Sequence, residues 1–205
     1  MRLIEHIHGG YVFRRRVRVL STQLADLIPQ GARVLDVGCG DGLLSHLIMK
    51  RLPDIELRGI DVLVRDQTHI PVDWFDGRVI PYGDGAFDVV MLVDVLHHAE
   101  NPMFLLDEAV RVAHKTILIK DHTCDGLLAS LRLRFMDWVG NARHGVALPN
   151  NYWSRREWLE AFGMLNLTIG VWVKDLRLYP RPANWIFDRS LHFVARLELT
   201  EGNDK

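Results

Sequence analysis

An apolar run leads directly into closely spaced glycines in the stretch Val34-Leu35-Asp36-Val37-Gly38-Cys39-Gly40-Asp41-Gly42. Its apolar beginning predicts a buried strand, its glycines predict a tight turn, and the residues that follow predict a helix over 43–51. Glycines in such a turn let the backbone approach a ligand closely, because they carry no Cβ. The first N–H groups of the next helix face the same place. The stretch therefore predicts a site for a nucleotide-like cofactor.

The spacing of the glycines narrows the class of cofactor. Dinucleotide sites use a G-x-G-x-x-G pattern after a strand, and Leu43 stands here where the third glycine of that pattern falls. The carboxylate of Asp36, two residues before Gly38, would repel a pyrophosphate and suits a ligand with an ammonium or sulfonium group. S-adenosylmethionine carries both groups, so we expect this cofactor. An oxidoreductase that uses a nicotinamide dinucleotide is the disfavoured alternative.

The same stretch resembles the first motif of the class I S-adenosylmethionine-dependent methyltransferases, and further motifs follow in that family's order. Those that resemble the type 11 methyltransferases are Gly59-Ile60-Asp61-Val62, Phe75-Asp76-Gly77, Ile80-Pro81-Tyr82-Gly83-Asp84-Gly85-Ala86-Phe87-Asp88-Val89-Val90, Val95-Leu96-His97-His98 and Leu106-Asp107-Glu108-Ala109-Val110-Arg111-Val112. The likeness covers roughly residues 30–121. Motifs in a fixed order are far more specific than one glycine motif. The chain departs from the family at Ala113-His114-Lys115, where a Gly-Gly turn is usual.

The resemblance implies an α/β fold of the Rossmann-like class I type, with a mostly parallel central sheet, helices on both faces and an insert after strand five. Alternating strand and helix patterns predict the same kind of parallel sheet. We expect one methyltransferase domain over 1–205, in which 30–121 form the cofactor-binding core and 122–190 supply the acceptor pocket. The predicted helices cover 11–28, 43–51, 102–113, 127–139 and 155–162. Ser154 and Glu157 form a predicted capping box at the start of the last helix. The predicted strands cover 33–37, 55–60, 87–92, 116–120, 167–173 and 191–199.

The resemblance also implies which residues hold the cofactor. Asp36 acts on the methionine amino group through water, and Asp61 accepts hydrogen bonds from both ribose hydroxyls, a bidentate geometry that a carboxylate provides. Asp76 accepts from the adenine amino group, and Val62 forms an apolar wall against the ring. The complete predicted set is Asp36, Gly38, Cys39, Gly40, Asp61, Val62, Asp76, Gly77 and Val93. The alternative for Asp61 is a cap of a helix or turn.

Candidate catalytic residues follow the fourth and fifth predicted strands, at the edge where ligands of parallel sheets bind. Histidine accepts a proton near neutral pH, so we expect His97 and His122 to act as bases, with Asp94 or Asp121 as the orienting partner. Such a base gives a rise in kcat/KM through roughly pH 6–7. A structural role is the alternative for His97 and, above all, for His98.

A metal-dependent reaction is not expected. Some quinone-pathway O-methyltransferases hold a divalent metal with a carboxylate–x–x–carboxylate–His cluster after the fourth strand, and this chain offers Asp94, His97 and His98 there. Magnesium prefers oxygen ligands, whereas histidine replaces one carboxylate of the cluster. We expect methyl transfer to depend on alignment, and on a base where the acceptor must lose a proton.

The composition of the chain indicates the class of methyl acceptor and the cellular location of the protein. The formal net charge of -1 draws the chain neither to nucleic acid nor to an anionic membrane. Because no apolar run is long enough for membrane insertion and the two cysteines do not indicate a disulfide framework, we expect a cytoplasmic enzyme. Tryptophans in or near 122–153 and 177–187 suit a small, moderately apolar acceptor. The alternatives are a methyltransferase that acts on RNA or protein, and a non-catalytic S-adenosylmethionine-binding module.

Overall fold

A seven-stranded sheet forms the centre of the computed structural model, which describes residues 2–126, 129–133, 151–179 and 191–200, with side chains from residue 13 onward. The strands are β1 (Arg33–Val37), β2 (Glu56–Asp61), β3 (Val72–Trp74), β4 (Phe87–Val93), β5 (Ala113–His122), β6 (Leu167–Val173) and β7 (His192–Leu199). The helices are α1 (Arg2–Ala25), α2 (Leu43–Arg51), α3 (Pro102–Val112) and α4 (Arg155–Met164), with a 3-10 turn at Leu96–His98.

The order of the strands across the sheet is β3-β2-β1-β4-β5-β7-β6. The first five pair in parallel, β7 runs antiparallel to β5, and β6 runs antiparallel to β7. The order reverses between β1 and β4, and open parallel sheets bind ligands outside the carboxyl ends of the strands at such a point. The mostly parallel Rossmann-like sheet that the sequence predicts is therefore confirmed.

Alternate residues of the central strands pack on opposite faces of the sheet, as the two-residue period of a strand requires. Leu35 in β1 and Leu92 in β4 pack on the face that α3 and α4 cover. Val34 and Met91 pack on the other face, against α1 and α2. Because both faces are covered, these strands read as nearly continuous apolar runs.

The start of α4 confirms the predicted capping box. The hydroxyl of Ser154 accepts a hydrogen bond from the N–H of Glu157, and the Glu157 carboxylate accepts one from the N–H of Ser154 at 2.7 Å. Two N–H groups that the first helical turn leaves unpaired are satisfied in this way. The helix continues to Met164, two residues beyond its predicted end.

The first helix differs most from its prediction. The sequence pattern predicts a helix over 11–28, whereas α1 covers Arg2–Ala25, so that Gly9 and Gly10 lie within it. Glycine costs about 1 kcal/mol relative to alanine inside a helix, which is why the pattern alone places the start after this pair. The helix ends in a turn ahead of Pro29.

Strand β3 has no counterpart among the predicted elements. It has three residues, pairs with β2 at the edge of the sheet, and leaves Asp73 and Trp74 exposed. A strand this short and this exposed offers no alternation to detect. β5 begins at Ala113, before its predicted start at residue 116, because Ala113 already pairs with Phe87. Residues 129–133 of the helix predicted over 127–139 are helical, and 127–128, 134–150 and 180–190 lie outside the described residues.

Candidate active site

The glycine turn between β1 and α2 forms one wall of a cleft at the carboxyl edge of the sheet. Gly38 and Gly42 have φ angles of 70° and 73°, which favour glycine. A Cβ at Gly38 would lie 2.5 Å from Cγ2 of Val95, and one at Gly42 would lie 2.3 Å from Cγ1 of Ile70. Side chains are therefore excluded at Gly38 and Gly42 by backbone conformation and by space together.

The cleft has a volume of about 880 Å³. Among the predicted cofactor residues, those that line it are Gly38, Gly40, Asp61, Val62, Asp76 and Gly77. The predicted catalytic Asp94 and the neighbouring His98 also line it. The wall residues that sequence reasoning did not assign to the site are Arg65, Phe75, Arg78, Val95, Ala99, Glu100, Asn101, Phe104 and Leu105. These residues share a place in the sequence, since each of them follows the end of β2, β3 or β4. That place is the feature by which the sequence could have identified them.

Asp61, at the end of β2, supports the glycine turn from the cleft. Its Oδ2 accepts a hydrogen bond from the N–H of Gly40 at 2.7 Å, and its Oδ1 accepts one from the N–H of Leu63 at 2.9 Å. Each carboxylate oxygen has a further lone pair that can accept from a ligand hydroxyl. Asp61 thus caps the turn and lines the cleft at once, so its two interpretations are compatible.

Asp76 lines the same cleft from the turn after β3. Its Oδ1 accepts hydrogen bonds from the N–H groups of Arg78 and Val79, both at 2.8 Å. These two bonds lower the pKa of Asp76, so its carboxylate is an ionised acceptor at neutral pH. A Cβ at Gly77 would lie 3.0 Å from Cγ1 of Val62, which places the apolar wall beside this carboxylate.

Asp36 does not line the cleft. Its side chain is 2% exposed and accepts a hydrogen bond from the hydroxyl of Ser45 at 2.5 Å. Burial raises the pKa of Asp36 from 3.8 to about 7, with the Ser45 bond acting against this shift and the charge of Asp61 adding to it. The predicted role at the methionine amino group, through water, stays a prediction.

Cys39 and Val93 are likewise outside the wall of the cleft. The sulfur of Cys39 packs toward β2, where a Cβ at Gly59 would lie 2.3 Å from it. Burial is the main cause that raises the pKa of this thiol, which fits the expected packing role and opposes a reactive one. Val93 packs with the cluster that α1 and α2 cover. Contact of the cofactor with these two residues stays a prediction.

Asp94 begins a polar cluster at the end of β4. Its φ of 57° is uncommon for a residue with a side chain, and its N–H donates to the carbonyl of Lys120 at 2.7 Å. Two cations bind its carboxylate, namely Arg16 from α1 on Oδ2 and Lys120 from β5 on Oδ1. Burial acts to raise the pKa of Asp94, but the charges of Lys120 and Arg16 hold it well below its usual value.

Asp121 joins the two predicted bases. Its Oδ1 lies 2.6 Å from Nδ1 of His97 and 3.2 Å from Nδ1 of His122, and it accepts a hydrogen bond from the N–H of His122 at 2.8 Å. All three side chains are buried, and none of them lines the cleft. Burial acts to raise the pKa of Asp121, but the two histidines lower it. Asp121 therefore orients both rings, whereas Asp94 lies 3.7 Å from Nδ1 of His122.

The electrostatic surroundings of His122 differ from those that the sequence suggests. Burial, and then the charge of Lys120, lower the pKa of His122 from 6.5 to about 4. The ring is consequently neutral near pH 7. The predicted rise in kcat/KM through pH 6–7 is therefore wrong for His122, because this histidine titrates at lower pH.

Sequence reasoning missed part of the cluster. His192, the first residue of β7, pairs in register with His122, and their ring centroids are 4.6 Å apart. Nζ of Lys120 lies 3.2 Å from Nδ1 of His192, and the ring of Tyr152 stacks on that of His97 with centroids 5.6 Å apart. A lysine within an otherwise apolar, buried strand is the signal that the sequence offered, since lysine is rarely buried without a partner.

The ligand atoms of His97, Asp121 and His122 all lie within 4.8 Å of one another. Hydrogen bonding accounts for this spacing, with two imidazole N–H groups as donors and one carboxylate oxygen as their acceptor. Such a spacing also lies within the reach of a metal ion. The expectation that the reaction needs no metal stays a prediction.

The sequence matches the family model Methyltransf_23, described as a methyltransferase domain, over residues 8–169. This match covers well over half of the chain, and the chain belongs to that family. The protein is an S-adenosylmethionine-dependent methyltransferase with the class I fold, as its motifs indicate.

Two relatives and one solved structure illustrate the likeness. An uncharacterised methyltransferase of Mycobacterium bovis is 29% identical over 174 residues, which are 81% of this chain and 76% of that one. The 27-O-demethylrifamycin SV methyltransferase of Amycolatopsis mediterranei is 26% identical over 129 residues, 53% of this chain and 47% of that enzyme, so the aligned part is about half of that relative. The methyltransferase solved in complex with the Trm112 activator of Haloferax volcanii has a TM-score of 0.66 at 16% identity, with 93% of both chains covered, and shows the fold alone.

Among the described residues, the structure contains no helix with the length and hydropathy needed to cross a membrane.

Proposed function

We propose that this methyltransferase acts on a small, moderately apolar molecule whose reacting atom must lose a proton. The observation that supports the proposal is a polar cluster at the cleft. Asp94 lines the cleft, and His97, His122 and Asp121 are buried next to it. A positioned proton acceptor accelerates reactions in which a proton leaves. The Amycolatopsis relative is a 27-O-demethylrifamycin SV methyltransferase, and methylation at an oxygen in that relative supports an O–H acceptor here.

The cofactor is proposed to lie along the cleft between the glycine turn and the turn after β3. Asp61 accepts from the ribose hydroxyls, Val62 lies against adenine, and Asp76 accepts from the adenine amino group. The methionine part lies along the glycine turn, near Gly38 and Gly40, whereas Gly77 lies beside the adenine with Val62. The other predicted contacts are Asp36, Cys39 and Val93, which do not line the cleft. The positions of Asp61, Val62 and Asp76 on one continuous wall support this placement.

Methyl transfer from a sulfonium is a displacement with a leaving group already in place, so the protein supplies mainly alignment. The proton of the acceptor goes to Nε2 of His122 or of His97, because Nδ1 of each ring lies against Asp121. Asp121 orients the rings and stabilises the imidazolium that forms. Asp94 connects the cluster to the cleft, since it lines the cleft and also binds Lys120.

Residues after β5 are proposed to build the acceptor pocket, within the single domain predicted over 1–205. Their described parts already reach the cluster: Tyr152 stacks on His97, and the indole N–H of Trp158 donates to the carbonyl of His122 at 2.9 Å. Tyr179 lies 5.8 Å from His192, measured between ring centroids. Aromatic rings around polar groups suit an acceptor with an apolar body and one polar reacting atom.

The test is transfer of a radiolabelled methyl group from S-adenosylmethionine to a cell extract separated into small molecules, RNA and protein. Label is expected in the small-molecule fraction. Label in RNA or protein would establish the first alternative, and binding of S-adenosylmethionine without labelling of any fraction would establish a non-catalytic module. His122→Gln should lower labelling by about 10²–10⁴-fold, whereas the matched control His114→Gln, at the opposite edge of the sheet, should not.

A further inference from the structure

The side chain of Lys120 is fully buried at the centre of the histidine cluster. Burial lowers the pKa of its amine, and the carboxylate of Asp94 opposes this shift and favours the ammonium form. Lys120 is 0% exposed, its Nζ contacts the carboxylate of Asp94, and the same Nζ lies 3.2 Å from Nδ1 of His192. Burying a lysine is costly unless its charge is paired and its N–H groups are used. The mechanism proposed above makes no use of this group, so its place in the cluster needs an explanation.

The contact between Lys120 and His192 fixes the proton on one ring. An ammonium group has donors and no acceptor, so Nδ1 of His192 must carry a lone pair and accept. His192 is therefore neutral, with its proton on Nε2. Burial and the charge of Lys120 lower the pKa of His192 well below its usual value, which agrees with the tautomer that the contact requires.

The opposite tautomer follows for His122. Its Nδ1 lies 3.2 Å from Oδ1 of Asp121 and 3.7 Å from Oδ1 of Asp94, and ionised carboxylates only accept. The proton of the neutral ring is thus on Nδ1, and the lone pair is on Nε2. Two imidazoles that lie 4.6 Å apart consequently hold opposite tautomers, one set by a cation and the other by an anion.

We propose that Lys120 is the positioning residue of this site, whose ammonium group sets the tautomer of His192 and keeps His122 a neutral proton acceptor. This role rests on the proposed function, because it concerns the base of the same reaction. Lys120 itself touches neither cofactor nor acceptor in this mechanism. It acts through Asp94 and His192, both of which it contacts, and through its charge near His122.

Charges from several elements act on His122. Among the described residues, the titratable groups that contact His122 or its immediate neighbours are Arg16 from α1, Asp94 after β4, His97 and His98 from the 3-10 turn, Lys120 and Asp121 on β5, Tyr152, Tyr179, and His192 from β7. The two carboxylates favour the imidazolium and the two cations oppose it. Loss of the Lys120 charge leaves the carboxylates in excess, so the pKa of His122 should rise.

The first experiment replaces Lys120 with Met, which has a similar shape and no charge, and with Arg as the charge-retaining control. Titration of the histidine ring C–H signals by NMR, with EDTA present and with signals assigned by His122→Gln and His192→Gln, reports the pKa of each ring. In the wild type the His122 signal should be constant from pH 8 to pH 5. In Lys120→Met its midpoint should rise by about one unit or more, and Lys120→Arg should resemble the wild type. An unchanged midpoint in folded Lys120→Met overturns the proposal.

The second experiment needs no variant of Lys120 and decides the matter if Lys120→Met does not fold. Long-range ¹H–¹⁵N correlation spectra of the wild-type protein distinguish protonated from unprotonated ring nitrogens. At pH 7 the proton of His192 is expected on Nε2 and that of His122 on Nδ1. A proton on Nδ1 of His192, or the reverse tautomer of His122, overturns the proposal.

Failure here and failure of the proposed function give different results. If the histidine protonation is as expected but no fraction of the extract is labelled, the proposed function fails. If labelling occurs and the acid limb of kcat/KM for the labelled acceptor is the same in Lys120→Met as in the wild type, the role of Lys120 fails alone. A lysine that merely supports the fold would leave that acid limb unmoved.

Discussion

At the scale of single residues, the aspartates around the cleft have similar sequence contexts and different environments. Asp61 and Asp76 accept backbone N–H groups in turns that line the cleft. Asp36 is buried beneath the glycine turn with one hydroxyl partner. Asp94 and Asp121 lie among cations and imidazoles. The environments of Asp61 and Asp36 lead to different predictions.

Asp61→Ala should weaken binding of S-adenosylmethionine and of its demethylated product. The carboxylate is the proposed acceptor for two ribose hydroxyls, and charge-assisted bonds of this kind are worth about 1.5–3 kcal/mol each before compensation. Titration calorimetry on the folded variant measures the loss. Asp88→Ala is the matched control, because Asp88 accepts from the N–H of Arg33 at the far edge of the sheet. Wild-type affinity in Asp61→Ala would show that the carboxylate only caps the turn.

Asp36→Asn should alter how stability depends on pH. The pKa of Asp36 is about 7 in the fold and 3.8 when unperturbed, so the folded state holds this proton more tightly. The resulting stabilisation is complete below about pH 3.8 and is lost as the pH rises through 7. Asparagine does not ionise, so the variant should melt higher than the wild type at pH 8, and the difference should shrink toward pH 4.

The same variant tests the cofactor role of Asp36. If the negative charge acts on the methionine amino group, Asp36→Asn should bind S-adenosylmethionine more weakly at pH 8, where the wild-type carboxylate is ionised. Calorimetry at pH 8 and at pH 6 measures both states of the wild type. Equal affinity of variant and wild type at pH 8 would leave Asp36 a buried structural acid.

At the scale of elements, the β1–α2 turn shows how a local motif and its tertiary contacts combine. The glycines make the turn possible, but Val95 after β4 and Ile70 before β3 fill the space next to them. The turn can be predicted from one segment of the sequence because the backbone conformation of a glycine depends on local chemistry. The packing that makes glycine obligatory comes from residues 28 and 57 positions away.

Gly38→Ala and Gly31→Ala separate these two effects. Both glycines have a positive φ, of 70° and 68°, so alanine at either position should cost about 1–2 kcal/mol of backbone strain. An added Cβ at Gly31 meets no atom within 4 Å, whereas one at Gly38 lies 2.5 Å from Val95. Gly38→Ala should therefore lower the free energy of unfolding further and weaken cofactor binding, as urea denaturation and calorimetry can measure. Equal effects of the two changes would contradict the packing argument.

At the scale of the whole molecule, the polar cluster is assembled from segments that lie far apart in the chain. Arg16 comes from α1, Asp94 follows β4, Lys120 belongs to β5, and His192 begins β7. Their side chains meet because β5 is flanked by β4 and β7 in the sheet. Burial of the assembled cluster then shifts its titration away from the values of isolated groups.

His122→Gln and His97→Gln should lower turnover while leaving the affinity for S-adenosylmethionine nearly unchanged. A positioned base contributes about 10²–10⁴-fold, so a loss below threefold in both variants would remove them as bases. A base acts when unprotonated, and the pKa of His122 is lowered to about 4. Wild-type kcat/KM should therefore rise with pH near 4 and be flat between 6 and 8. A rise through pH 6–7 that persists in His122→Gln would assign the proton to another group.

The parallel sheet and the position of the glycine turn could be predicted from the sequence. Both depend on local chemistry, since apolar runs form buried strands and closely spaced glycines allow a turn that other residues cannot adopt. The capping box of α4 was readable for the same reason. The short edge strand β3 and the first turns of α1 could not be predicted. Three residues, two of them exposed, show no alternation, and the low helix propensity of glycine argues against a helix that begins before Gly9 and Gly10.

The contacts among the titratable residues could not be predicted from the sequence and depend on the tertiary structure. No spacing along the chain indicates that one oxygen of Asp121 forms hydrogen bonds with both His97 and His122. The same holds for the position of Lys120 between Asp94 and His192. Those contacts depend on the order of β4, β5 and β7, and the shifted pKa values depend on the burial that this order produces. Hydrogen-bond partners and desolvation are properties of neighbours in space, and neighbours in space are fixed only when the sheet is assembled.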